Sequence, residues 1–520
     1  MDAANAARSK TGTRPAEGGT FDVIVVGAGG AGLAAAIEAR SLGRSTLLLE
    51  KAEKIGGTTG RSVGSIAATN TSHQIRKGIK DCPEDHLRDL YAFNEKLNLP
   101  GNPVFARMLV ENVPETFRWL ESMGLEFFGP MTELPHKKQR MHNVIPDSRA
   151  YPFHLGRHAR KIGVDIRTSS PVEELIIENG RAVGVIASIG GKPTAFRARG
   201  GVVLSCGDYS ANGQRRARHL SPAMAGVTPV NPYNTGDGHR MVEALGGRII
   251  NEHLHLSGLR FPAPPPKWYS RIPPYRPVTR FMRWALESLP GVLTNKLITG
   301  FLTTVLVPSY KMFHEGAILV NAKGERFTEE TRDSAAEMGA QPDQKAYILL
   351  DGPLARKFSG YPYYVSTASG FSYASMEDYR RNRQDIFHEA PTLAALAGQI
   401  GVPAKALEAT VAKLNAERAK TPTPGRPELK DGPYVALGPV RYYINFTDGG
   451  LAVDENLQVL GEGDTPVPGL YAAGLTGMGG VLLEGHGHHL GWVFTSGRIA
   501  ARNAAYHVTT EDLPEAGPAR

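Results

Sequence analysis

The sequence predicts an α/β fold built around a doubly wound parallel sheet, and three observations carry that prediction. A strand pattern, a glycine-rich loop, a helix pattern and a second strand follow one another within residues 21–50. Glycine makes up 59 of 520 residues, well above the usual share of about 7%, as tight turns and close backbone approaches require. Hydrophobic residues are 41% and charged residues 21%, the balance of an ordinary globular chain long enough for two or three domains at about 150 residues each.

Residues 21–26, FDVIVV, form a short apolar, β-branched run suited to a buried parallel strand. GAGGAG follows at once, with Gly27, Gly29 and Gly32 in GxGxxG spacing. LAAAIEARSLG then reads as a helix closed by Gly43, and STLLLEK as a second strand ending at Glu50. In such a unit Gly27 permits the tight turn, Gly29 lets backbone approach a pyrophosphate, and Gly32 lets helix and strand pack closely. The helix N-terminus offers free N–H groups and the positive end of its dipole to phosphates, and Glu50 can accept hydrogen bonds from a ribose diol. No second unit of this kind is found, so direct reduction by NAD(P)H is not expected. Electrons would pass to or from another carrier, a quinone or oxygen.

Cys82 and Cys206 are the only cysteines, which excludes a disulfide framework, a Cys-rich zinc site and an iron–sulfur cluster. Cytoplasmic residence is the default expectation. The first twenty residues lack an apolar core and read as a disordered tail, and no run of 18 apolar residues occurs. The formal net charge is +8, from 59 basic and 51 acidic residues, and no basic motif interleaved with aromatics points to nucleic acid.

KAEKIGGTTG follows Glu50 directly. With GAGGAG, GSIAA (64–68), DCPEDHLRDL (81–90), LSCGDYSAN (204–212) and NTGDGHRMVEALGG (234–247), it resembles the FAD-dependent fumarate reductase/succinate dehydrogenase flavoprotein superfamily, which includes 3-ketosteroid dehydrogenase-like enzymes. GERFTEETRD (324–333), DGGLAVDENLQVL (448–460), VPGLYAAG (467–474) and GHGHHLGWVFTSGRIAARNAA (485–505) extend the resemblance over most of the chain. It implies a Rossmann-type FAD-binding domain from 15–245 and 435–520, with an inserted α+β capping or substrate domain at 246–434. It implies FAD contacts at Gly27, Gly29, Gly30, Ala31, Gly32, Glu50, Lys51, Gly57, Thr58, Thr59, Gly64, Ser65, Val172, Cys206, Gly207, Asp237, Gly474, His489 and Leu490. The family often reads YAAGE; here Leu475 follows Gly474, and one side-chain contact is lost.

The resemblance further implies hydride exchange between flavin N5 and a substrate carbon at a CH–CH bond beside a carbonyl. Arg332 matches an arginine that delivers a proton in fumarate-reductase-like relatives, with Glu329, Glu330 or Asp333 as its relay. Those relatives bind a dicarboxylate through a His and an Arg. This chain has Phe446 and Glu484 at the matching positions, so a small dianion is not expected. Ketosteroid dehydrogenases carry a Tyr where Leu483 stands, which leaves Tyr363, Tyr364 and Tyr373 as candidate replacements. His486, with Glu484, is a further candidate at the substrate. His486, His488 and His489 lie close together without cysteines or spaced carboxylates, so no metal is expected.

The substrate expected is a hydrophobic cyclic or steroid-like ketone or enone. Two readings stand beside it: an Arg332-dependent reductase of an unsaturated acid, and an electron-transferring flavoprotein without its own substrate. Residues 261–310 fall outside the resemblance. They are Pro-rich, then apolar, with six basic residues and one acid, Glu287. They read as a lid, a peripheral membrane contact, an oligomer contact or a buried helix.

Overall fold

The computed structural model describes residues 15–265, 272–289, 307–332, 334–368, 372–421 and 424–507. Asp333 and much of the 261–310 insertion lie outside them.

The expected α/β sheet is present. Strands Pro466–Ala472, Lys192–Leu204, Ala16–Val26, Thr46–Leu49 and Asp165–Arg167 lie side by side and parallel. Gln458–Leu460 adds an antiparallel edge, and the hairpin Val172–Glu178/Arg181–Ile189 extends from Lys192–Leu204. The run Val23–Val26 is buried throughout, as an apolar run with helices on its faces must be.

The first strand begins earlier than its sequence suggests. Ala16–Phe21 pairs with Thr194–Ala198, although residues up to 20 read as a tail. Ala16–Thr20 are mostly exposed and carry no large apolar side chain, so backbone hydrogen bonds rather than burial hold them in place.

Helix Gly30–Ser41 packs against helix His488–Tyr506, which brings the two ends of the chain together over the sheet. Glu38 fastens the pair: Arg498 Nε and Arg502 Nε donate to its carboxylate at 2.8 and 2.6 Å. One hydrophobic cluster runs from Val23 to Leu204 and resumes at Met241 and at 451–505.

A second cluster spans Met224 to Ile444, around a mainly antiparallel sheet centred on Tyr434–Thr447. Ala346–Leu350, Ile318–Asn321, His255–Arg260 and Phe387–Ala390 belong to this sheet. Helices Leu393–Ile400 and Ala404–Lys420 pack against it. Within the insertion, Arg276–Ser288 is a helix whose Arg276, Arg280 and Arg283 all approach the buried Glu126. No helix among the described residues is long and apolar enough to cross a membrane.

Candidate cofactor and active site

The loop between the first strand and helix opens onto a cavity of about 490 Å³. Each of the three glycines has its own steric reason. Gly27 has φ +97°, and a Cβ there would lie 2.5 Å from the Ser205 carbonyl oxygen. At Gly32 a Cβ would stand 1.8 Å from the Gly27 carbonyl oxygen, so only glycine lets helix and loop approach this closely. At Gly29 a Cβ would meet nothing within 4 Å. Gly29 also caps the helix without a side-chain hydrogen bond, which leaves N–H groups of the first turn for an anion. Gly30 is the exception, since its N–H is bonded to Thr59 Oγ1 at 3.1 Å.

Gly27, Gly29, Gly30, Ala31, Glu50, Lys51, Gly57, Thr58, Thr59, Val172, Cys206, Gly207, Asp237 and Gly474 all line this cavity. Glu50 is buried at its edge, with Oε2 accepting from the Ala28 N–H at 2.7 Å and Oε1 from the Ala52 N–H at 2.8 Å. These bonds fix the carboxylate and still leave lone pairs for ribose hydroxyls. Lys51 Nζ donates to Asp237 and Thr235, each at 2.6 Å. Burial pushes the Cys206 thiol up to about 12, so it lines the wall as an inert group.

Four expected contacts lie elsewhere. Ser65 begins a strand of a three-stranded sheet and Gly64 stands just before it; the Gly64 carbonyl accepts from Tyr151 Oη at 2.9 Å and the Ser65 hydroxyl bonds Asn143. Leu490 is buried in the first hydrophobic cluster. His489 turns to Asp448 Oδ1, at 2.8 Å. Gly32 acts through packing rather than as lining.

Arg149, Asn231, Tyr233 and Asn234 also line the cavity, although the sequence does not mark them, and so does Leu475. Asn231 and Asn234 both donate to Thr58 Oγ1 at 3.0 Å, and Asn234 also donates to the buried Asp208 at 2.9 Å. Desolvation raises Asp208 to about 6, against the hydrogen bonds from Ser210, Thr447 and Asn234 that favour its charged form. The NTGDG stretch contains Asn234, but nothing in its spacing separates Asn234 from Asp237. Leu475 occupies the place of the family's Glu and brings an apolar side chain to the cavity wall.

The segment before the C-terminal helix gathers the histidines. Gly487 has φ +92°, and a Cβ there would come within 2.3 Å of the Ala67 nitrogen. This close approach separates the neighbours on either side. His486 is half exposed, and its Nδ1 lies 2.5 Å from Oε1 of the buried Glu133. Glu133 also accepts the His486 backbone N–H. The side-chain hydrogen bond to Glu133 raises the His486 pKa above its ordinary value. His488 is fully buried, with Nδ1 donating to the Glu484 carbonyl at 2.6 Å. The Glu484 carboxylate pairs with Lys96 at 2.8 Å. Phe446 packs its ring against His489, with centroids 4.5 Å apart.

The remaining candidates are elsewhere. Arg332 is exposed and lines a separate cavity with Glu325, Arg326, Glu329 and Glu337, among others, sharing no residue with the first. Tyr363 packs on Phe358 and on the Lys357 ammonium, and Tyr364 on Tyr373. Neither tyrosine lines the dinucleotide cavity.

A family described as FAD binding domain matches residues 22–270 and 280–483. The chain belongs to that family. The open cradle at Gly29, the uncapped helix start and the fixed Glu50 fit this cofactor, so the protein is an FAD-dependent oxidoreductase. It is 27% identical over 507 residues to a fumarate reductase (cytochrome) of Shewanella frigidimarina, covering 94% of this chain and 77% of that one. It is 23% identical to a 3-oxosteroid 1-dehydrogenase of Mycolicibacterium smegmatis, covering 94% and 98%. The structure resembles the open conformation of a flavocytochrome c3 fumarate reductase, with a TM-score of 0.72 over 95% of this chain and 79% of the other.

Proposed function

We propose that this protein oxidises or reduces a CH–CH bond next to the carbonyl of a hydrophobic cyclic ketone or enone. The observation that carries the reading is the Phe446–His489–Asp448 group. An aromatic ring occupies the position where the dicarboxylate reductases of the resemblance carry a histidine. The adjacent His489 spends one ring nitrogen on a carboxylate. Glu484, where those enzymes carry an arginine, is itself an anion paired to Lys96. A second substrate carboxylate would find an aromatic ring and an acid where it needs cations.

Bound FAD supplies the hydride chemistry. The chain orients the substrate and manages the proton. His486 does not line the dinucleotide cavity, but it stands half exposed just before the C-terminal helix with Glu133 raising its pKa, and it is the group we assign to proton transfer at the substrate, with Arg332 as the competing assignment. An external carrier, quinone or oxygen completes the cycle. The exposed Phe281 and Trp284 of helix Arg276–Ser288 support a second reading, that the enzyme meets its hydrophobic substrate at a membrane surface.

The test is anaerobic flavin absorbance. Oxidised enzyme is mixed with saturated cyclic ketones and steroids, and reduced enzyme with the matching enones and with fumarate. Bleaching by a ketone, or recovery of colour with an enone, supports the reading. Recovery with fumarate alone restores the dicarboxylate reductase. No response to any of them favours an electron-transferring flavoprotein.

A further inference from the structure

We propose that His86, His136 and His488 form a binding site for one borderline divalent cation, of which Zn²⁺ is the representative. The three residues come from helix Pro83–Asn94, from the loop before strand Met141–Ile145, and from the first position of the C-terminal helix. One ring nitrogen of each lies within 4.8 Å of the others, and all three side chains are buried.

The geometry is that of a three-histidine metal site. A tetrahedral cation with metal–nitrogen bonds of about 2.0–2.1 Å sets its ligand nitrogens about 3.3 Å apart. His86 Nε2 and His488 Nε2 are 3.2 Å apart. The ring centroids form a nearly equilateral triangle with sides of 5.2, 5.3 and 5.7 Å. Bringing nitrogens up to 4.8 Å apart to that spacing needs a movement of up to about 1.5 Å.

The surrounding groups orient the ligands. His488 donates Nδ1–H to the Glu484 carbonyl, so its Nε2 lone pair, which accepts from His86 Nε2–H at 3.2 Å, can ligate once the His86 proton shifts to its unpartnered Nδ1. His136 Nδ1 stands 3.8 Å from Asp89 Oδ2; metal on Nε2 would need the ring proton moved to Nδ1 and donated to Asp89, in place of the hydrogen bond that Nδ1 now accepts from Arg140. His136 Nε2 is buried with no hydrogen-bond partner, a cost that ligation removes. Arg140 also approaches His136 Nδ1, at 3.1 Å. Its charge is more than balanced by Asp81, at 2.6 Å, and by Asp89. Three imidazoles suit Zn²⁺ with a water in the fourth position. Bound there, the ion would pin two N-terminal segments to the start of the C-terminal helix.

FAD-loaded full-length protein, stripped with a chelator, is titrated with Zn²⁺ against a chromophoric competitor. One equivalent bound at micromolar Kd or tighter is expected, and Co²⁺ in its place should give the intense visible bands of a four-coordinate site. His86→Ala, His136→Gln and His488→Ala should each weaken Zn²⁺ binding by at least about 10²-fold, while the remote His253→Ala leaves it unchanged. FAD content reports folding in each variant. A variant that keeps FAD and binds Zn²⁺ as the parent does overturns the site. So does the absence of four-coordinate Co²⁺ bands in the unaltered protein, a readout that needs no variant to fold.

Discussion

His486 and Glu133 form a hydrogen-bonded pair, with Nδ1 and Oε1 2.5 Å apart, the histidine half exposed and the carboxylate buried. Glu133 raises the His486 pKa, so the imidazolium persists to higher pH than a free histidine would. A proton donor of this kind is competent below its pKa and lost as pH rises through it. Turnover in the reductive direction should therefore fall on the alkaline side, with a midpoint above that of free histidine. Glu133→Gln removes the charge that raises the pKa and should shift this limb toward acid. His486→Ala should abolish the limb and lower kcat by at least about 10²-fold, the low end for losing a general acid. A pH profile unchanged in both variants removes the pair from the mechanism.

Arg332 gives the competing assignment. By resemblance it is the proton donor, yet it is exposed on a cavity that shares no residue with the dinucleotide cavity. Its backbone N–H bonds the Glu329 carbonyl at 3.1 Å, and Arg326 holds Glu329 and Glu330 at 2.9 and 2.7 Å. Glu329 and Glu330, two of the three acids expected to relay protons to Arg332, are thus engaged by another arginine, and the third, Asp333, lies outside the described residues. Arg332→Ala should keep FAD and leave kcat within about threefold, as for a surface residue away from the chemistry. A loss of about 10²-fold or more would return the proton-donor role to Arg332.

The dinucleotide unit was legible because each part has a local cause. A buried parallel strand must be apolar, the turn at Gly27 needs positive φ, and the Gly32 contact excludes any Cβ. The polar first half of strand Ala16–Val26 was not legible, since only its pairing to Lys192–Leu204 holds it. The histidines show the same limit. His486, His488 and His489 are neighbours in sequence, but Gly487 sends them to three environments: Glu133, the His86–His136 pocket and Asp448. Those partners sit about 40 to 400 positions away, and no spacing within the segment encodes them.

Gly29 and Gly32 separate folding from cofactor binding. A Cβ at Gly29 meets no protein atom within 4 Å but projects from a residue that lines the cavity. Gly29→Ala should fold with the parent's far-ultraviolet circular dichroism and lose FAD affinity by at least about tenfold, the effect of a clash costing about 1.4 kcal/mol. A Cβ at Gly32 collides with the Gly27 backbone at 1.8 Å, so Gly32→Ala should lower Tm and cofactor content together. Full flavin occupancy in Gly29→Ala would move the pyrophosphate away from this loop.

Helix Arg276–Ser288 carries an exposed stripe, Val278, Phe281 and Trp284, spaced three residues apart. Phe281 and Trp284 are 64% and 56% exposed, and their ring centroids stand 5.7 Å apart. Large aromatic side chains left in water gain by entering a lipid headgroup region. The basic residues contribute less than their number suggests. Arg276, Arg280 and Arg283 all approach Glu126, and Arg283 lies 2.5 Å from its carboxylate. Apolar contact should therefore outweigh charge: binding to anionic vesicles should weaken only modestly with added salt. The double variant Phe281→Ser/Trp284→Ser should lose vesicle co-sedimentation by at least about tenfold, given roughly 1.5–3 kcal/mol for burying one large apolar side chain. Co-sedimentation unchanged in that variant would remove this helix from any membrane contact, and binding that vanishes at moderate salt would assign it to charge instead.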